Sequence, residues 1–258
     1  MQGKLTILGS GTSQGVPVIG CDCTVCSSSD QRDKRTRTSA LIHINGENHV
    51  IDTGPDFRTQ MLRENIQSLK SVIFTHEHKD HIAGLDDIRP FNFKEKRSMN
   101  VYASNRVQEA LLREYHYIFA DKKYPGVPNV NLSIIENSKF EIDTGIEIEP
   151  IEVLHYKLPV FGFRIGDISY ITDAKTISEK EKEKIKGSNI LIINALRREP
   201  HMSHFNLDEA LAFIEEVNPN HAYLTHISHL FGTHNEIEKE LPGNVHLAYD
   251  GLSLSFKY

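Results

Sequence analysis

Seven residues, Thr75-His76-Glu77-His78-Lys79-Asp80-His81, follow directly on the apolar run Ser71-Val72-Ile73-Phe74. Three imidazoles and two carboxylates at that density constrain this chain more than any other stretch. A solvated loop has no reason to concentrate histidine, and a buried core would have to hydrogen-bond every ring nitrogen. A metal site at a strand end answers both points, with a His-rich surface turn as the plainer alternative. His76 and His78, two apart in extended chain, point to one side and can share an ion. Asp80 and His81 lie past the turn and can reach a second ion, while Ile82-Ala83-Gly84-Leu85 begins a helix or tight turn. Two ions need further ligands, so the chain should supply at least one more histidine and a bridging carboxylate.

Later strand ends carry both residue types. Ile146 to Leu154 reads as strand and ends at His155, and the hairpin of Phe161–Ile165 and Ile168–Thr172 around Gly166-Asp167 ends at Asp173. His221 to His226 is a strand closing on an imidazole. Upstream, Ser39–Ile44 and Asn48–Asp52 form a hairpin whose last residue, Asp52, precedes the turn Thr53-Gly54-Pro55; its carboxylate belongs either to a helix start or to the site. Pro55 is placed to open a helix over 56–64. An amphipathic helix runs from Arg106 to Tyr115 with Ser104 or Asn105 as cap, and Ser178 caps a charged helix through Lys186. The loop His201-Met202-Ser203-His204-Phe205-Asn206 leads into a helix from Leu207 to Val217. The stretch Gly9-Ser10-Gly11-Thr12-Ser13-Gln14-Gly15 is not a P-loop, since no Gly-Lys-Ser/Thr follows, and reads as a turn beside the site.

The three cysteines, Cys21, Cys23 and Cys26, fall within six positions. That spacing suits a tetrahedral structural zinc whose fourth ligand comes from elsewhere; free thiols in a loop or a redox pair are the alternatives. Three cysteines so close together argue against a secreted disulfide framework. A net charge of -6 with no long basic run argues against gripping an extended nucleic-acid backbone, though not against a small phosphate substrate. The first residues lack a signal-peptide h-region and no stretch is long enough to span a bilayer, so a cytoplasmic protein without membrane contact is expected. At 258 residues the chain can form one domain, 1–258, with ample core. Strands followed by mixed helix and strand occur twice, which favours a four-layer α/β sandwich.

In the order Asp52, His76-x-His78-x-Asp80-His81, His155, Asp173 and His226, the chain resembles the metallo-β-lactamase superfamily over nearly its full length. The resemblance implies an αββα fold with a dinuclear site. One divalent ion would be held by His76, His78, His155 and Asp173, the other by Asp80, His81, Asp173 and His226, with Asp52 orienting a ligand imidazole. Within the superfamily the chain is similar to the PhnP-type cyclic-phosphate phosphodiesterases, on Gly9-Ser10-Gly11-Thr12, the cysteine cluster and Leu224-Thr225-His226-Ile227-Ser228-His229. That likeness implies His229 as fourth ligand of the structural zinc, His204 as the catalytic histidine, and a homodimer. The expected activity is hydrolysis of a small phosphodiester, a cyclic ribose phosphate or a nucleotide, by a metal-bridging hydroxide with His204 as general acid and zinc or manganese in the site. The rivals are a tRNA 3′-processing type of nuclease, a thioesterase or lactonase of the same fold, and a zinc-stabilised binding protein without turnover.

Overall fold

The structure is a computed structural model that describes residues 1–142 and 145–258. Its first half holds strands β1 (Gln2–Gly9), β2 (Ser39–Ile44) and β3 (Glu47–Ile51), helix α1 (Phe57–Arg63), β4 (Ser71–Ile73), and helices α2 (Lys79–Ile82) and α3 (Arg89–Glu95). Strand β5 (Met99–Ala103), helices α4 (Asn105–Glu114) and α5 (His116–Phe119), β6 (Val130–Ile134) and β7 (Phe140–Ile142) follow. The second half holds β8 (Ile146–His155), β9 (Leu158–Ile165), β10 (Ile168–Ile171), β11 (Thr176–Ile177), α6 (Glu179–Ile185), β12 (Ile190–Asn194) and α7 (Leu207–Val217). It closes with β13 (His221–Thr225), α8 (His234–Glu238), β14 (Val245–Leu247) and β15 (Ser253–Lys257).

Two mixed sheets result. The first runs β15-β1-β2-β3-β4-β5-β6 and the second β11-β8-β9-β10-β12-β13-β14, with β7 paired to β8. Each sheet is antiparallel up to its fourth strand and parallel from there on. The short apolar runs are strands buried on both faces, so neighbouring residues serve different layers. Val50 and Val72 face α1 and α4 with Phe57, Met61, Val107 and Leu111, while the adjacent Ile51 and Ile73 face the other sheet. In the same way Ile190 and Ile192 point between the sheets, and Leu191 and Ile193 pack under α7 on Ala210 and Ile214. The layers are therefore helix, sheet, sheet, helix, the metallo-β-lactamase sandwich.

Two local expectations change. Helix α1 covers Phe57–Arg63 rather than 56–64: Asp56 is its first non-helical residue, and the Asp56 carboxylate, instead of capping, accepts the Arg37 backbone N–H at 2.9 Å and its guanidinium at 3.1 Å. Helix α2 starts at Lys79, three residues before Ile82, with extended His78 as its first non-helical residue. Asp80 and His81 thus sit on a helical turn. Among the described residues no helix is long and apolar enough to cross a membrane.

Candidate metal centre

The chain leaves strands β3, β10 and β13 through left-handed residues, Asp52 (φ 64°), Asp173 (φ 57°) and His226 (φ 57°). None is glycine, and such backbone costs roughly 1 kcal/mol or more per residue. Three instances around one cluster mark a place where side-chain direction outweighs backbone comfort. The turn after Asp52 then presses on α2: a Cβ on Gly54 would lie 2.2 Å from the Asp80 carbonyl, and one on Gly84 would lie 2.2 Å from the Gly54 carbonyl. Only glycine at both positions allows the Asp52 loop and the Asp80-His81 turn to touch.

Asp52 has no solvent exposure. Its Oδ1 accepts the Thr75 backbone N–H at 2.9 Å, and Oδ2 accepts the Thr75 hydroxyl at 2.7 Å and His81 Nδ1–H at 2.6 Å. With its proton directed to Asp52, the Thr75 oxygen can only accept from His76 Nδ1–H, 3.0 Å away. Both imidazoles are thereby held as Nδ1–H tautomers, and the Nε2 atoms of His76 and His81 are buried without a hydrogen-bond partner. A third ring follows the same rule: His155 Nδ1 lies 2.9 Å from the Ser203 carbonyl, which can only accept, so its Nε2 carries the lone pair. Oriented neutral imidazoles with an open Nε2 are what a divalent metal requires, and these residues fit one.

Asp173 is the hub. Its Oδ1 accepts from His204 Nε2 at 3.0 Å, and its Oδ2 accepts the Thr172 hydroxyl at 2.6 Å and lies 3.3 Å from both His81 Nε2 and His226 Nδ1. Ligand atoms of His76, His81 and Asp173 form one tight group, and those of His155, Asp173 and His204 another. His78 joins through its ring, 4.6 Å from that of His76 and 5.2 Å from that of His155. Asp80 Oδ2 lies 3.2 Å from His81 Nε2. His226 differs from its neighbours. The hydroxyl protons of Thr38 and Thr172 go to the Gly11 carbonyl and to Asp173, so both oxygens accept from its Nδ1–H, and its Nε2 takes the Thr12 hydroxyl at 3.2 Å. The turn of residues 9–15 therefore borders the site, as its sequence suggests. Every sequence-selected active-site residue lies in this cluster; the hydroxyls of Thr12, Thr38, Thr75 and Thr172 and the Ser203 carbonyl complete it.

Electrostatics agree with neutral rings at His76, His155 and His226, whereas at His81 they favour a positive charge. Burial holds His76 well below the usual imidazole range and lowers His155, and it brings His226 down to about 4. His81 is opposite: burial alone would lower it, but Asp80, Asp173 and Asp52 together hold it well above its ordinary value. Burial would likewise raise Asp173, yet His226 and His81 keep it well below the usual carboxylate range. Between His81 Nε2 and two carboxylates the protein calls for a positive charge, which a metal ion supplies.

The second cluster joins the loop between β1 and β2, which carries the cysteines, to the loop after β13, which carries His229. The thiols of Cys21, Cys23 and Cys26 and a ring nitrogen of His229 lie within 4.8 Å of one another, with His229 Nδ1 3.3 Å from Cys21 Sγ and 3.5 Å from Cys23 Sγ. No disulfide joins the thiols. Backbone N–H groups turn inward, Val18 to Cys26 Sγ at 3.3 Å and Cys26 to Cys23 Sγ at 3.5 Å. The Cys26 N–H and His229 bring the Cys23 thiol down to about 6, while burial pushes Cys26 up to about 11. A preformed three-sulfur, one-nitrogen cage of this kind fits a tetrahedral zinc.

This fold and His/Asp cluster define a class: the profile of the β-lactamase superfamily domain matches residues 47–227, and the chain belongs to that superfamily. Within it, the chain is similar to a diphosphatase of the PhnP family, with a TM-score of 0.93 and 40% identity over 99% of this chain and 98% of the other. A Porphyromonas gingivalis octanoyltransferase is 41% identical over 96% of this chain, which spans about half of that relative, 51%. The zinc-bound PqqB of Methylobacterium extorquens shares the fold, with a TM-score of 0.80 and 19% identity over 97% of this chain and 99% of the other.

Proposed function

We propose that the protein hydrolyses a small phosphodiester. The reading rests above all on His204, an imidazole held with Nε2 3.0 Å from Asp173 Oδ1 and outside the ligand sets that the resemblance implies. Two divalent ions, zinc or manganese, would be held by His76, His78, His155 and Asp173 and by Asp80, His81, Asp173 and His226; when bound they activate water and offset the phosphate charge. The chain's own residues do the rest. Asp52 and Thr75 keep the His76 and His81 lone pairs turned inward, and Ser203 does so for His155. As water attacks phosphorus in line and the P–O ester bond breaks, the His204 imidazolium gives its proton to the departing oxygen. The acidic chain, at -6, favours a small substrate over an extended nucleic acid.

Replacing His204 by Ala should slow a diester with an alkoxide leaving group by about 10²–10⁴, and an activated nitrophenyl ester far less. Equal losses on both would remove the general-acid role. A second reading, thioester hydrolysis, draws support from the acyl-transfer name of the Porphyromonas relative. A panel of bis(p-nitrophenyl) phosphate, cyclic nucleotides and octanoyl thioesters separates the two, and turnover confined to the thioester would replace the phosphodiester reading.

A further inference from the structure

A cavity of about 540 Å³ opens beside the cluster, with His78 and His155 in its wall. A diester seated at the cluster has this cavity beside one of its two arms. The residues that meet this arm break a local rule. Tyr156 and Lys157 form the two-residue turn between His155 and Leu158, which are paired across β8 and β9, and Tyr156 has φ 58°. Hairpin turns give such a position to glycine or asparagine, and a bulky aromatic there is strained. The residue is 52% exposed and belongs to no core cluster, so it gains no core packing in return. It lines the cavity instead, with the Lys157 ammonium over it at 5.4 Å from the ring centre.

Arg106, at the start of α4, lines the same cavity. It pairs with Glu77, and its exposed planar fork has more donors than one carboxylate engages. One aromatic face and two cations therefore line a single cavity next to the candidate metal centre, a combination suited to a flat ring and an anion other than the one at the cluster.

Building on the phosphodiester reading, we infer that this cavity binds a nucleoside diphosphate arm of the substrate, with the base on Tyr156 and the distal phosphate between Lys157 and Arg106. The test is calorimetric titration of metal-loaded protein with ADP and with ribose 5-phosphate, for the wild type and for Tyr156→Asn, Tyr156→Phe and Lys157→Ala. Asparagine accepts left-handed backbone, so the first variant removes the ring without adding strain. Phosphate contact with the ions is common to both probes; the difference between them reads the cavity. ADP should bind the wild type about tenfold or more tighter than ribose 5-phosphate. Tyr156→Asn and Lys157→Ala should each reduce that preference severalfold, and Tyr156→Phe should keep it. Equal binding of the two probes, or an unchanged preference in Tyr156→Asn, overturns the assignment. Turnover of bis(p-nitrophenyl) phosphate, measured in parallel, reads the phosphodiester reading separately: its absence with ADP preference intact sinks that reading and leaves the nucleotide site standing.

Discussion

Asp52 acts on the cluster only through its neighbours, since both its oxygens are taken by Thr75 and His81 and none of it reaches solvent. Burial raises its carboxyl above the ordinary value, and the His81 N–H opposes that rise. Changing Asp52 to Asn puts a neutral amide in the carboxylate's place, so that His81 loses a charged acceptor and the Thr75 hydroxyl its partner. The expected outcome is roughly 10- to 100-fold weaker retention of divalent metal, read by elemental analysis after dialysis against graded chelator, with the far-ultraviolet circular dichroism unchanged. Undiminished retention would show that Asp52 orients nothing. At this scale the site was legible where chemistry comes in dense or strand-end form, as for His76 to His81, His155, Asp173 and His226. Thr75, Thr38 and the Ser203 carbonyl were not, because a hydroxyl or a backbone oxygen that fixes a tautomer has no distinctive spacing. Thr75 had one signal, its position directly ahead of His76.

Elements follow from period-two dyads such as Val50-Ile51 and Val72-Ile73, which read as strand whichever layer each member faces. Helix starts were harder: behind Pro55 the Asp56 carboxylate is held by Arg37, nineteen residues apart in sequence, and does not cap α1, and no local pattern reports such a partner. Helix α8 carries a pH consequence of its own. His234 is its first residue; its backbone N–H donates to Asp33 Oδ1 at 2.7 Å, and its Nδ1 accepts from the Arg35 guanidinium at 3.3 Å. Burial, then the charges of Arg35 and Arg32, bring its pKa down to about 4, against the opposing pull of Glu238 and Asp33. Between about 6.5 and 4 the unfolded chain binds a proton that the native state refuses, so stability falls as pH falls, by at most about 3 kcal/mol from this group. His234→Gln should remove about one proton from the slope of urea-unfolding free energy against pH across that window. An unaltered slope would mean that His234 titrates normally in the folded protein.

Across the whole molecule the cysteine cage and the histidine cluster share one tether. His226 closes β13, and three residues on His229 joins the cage; between them Ile227 N–H donates to the Ser10 carbonyl and Thr12 N–H to the Ile227 carbonyl. The loop that carries Thr12 to His226 is thus fastened on the other side by Cys21, Cys23 and Cys26. A zinc ion in the cage would brace the position of His226 without touching it. Elemental analysis should find zinc even in protein purified with manganese, because three thiolates select the softer ion. Cys23→Ala should lose that zinc and lower the thermal midpoint by about 5 °C or more, given a shift of roughly 2–4 °C per kcal/mol for a chain near this size. It should also weaken metal retention in the histidine cluster, a loss that zinc added back to the variant does not repair. Zinc missing from the wild type in both preparations removes the cage as a metal site. Zinc present, with Cys23→Ala keeping full retention in the cluster, leaves the cage as a local staple and breaks the link between the two centres.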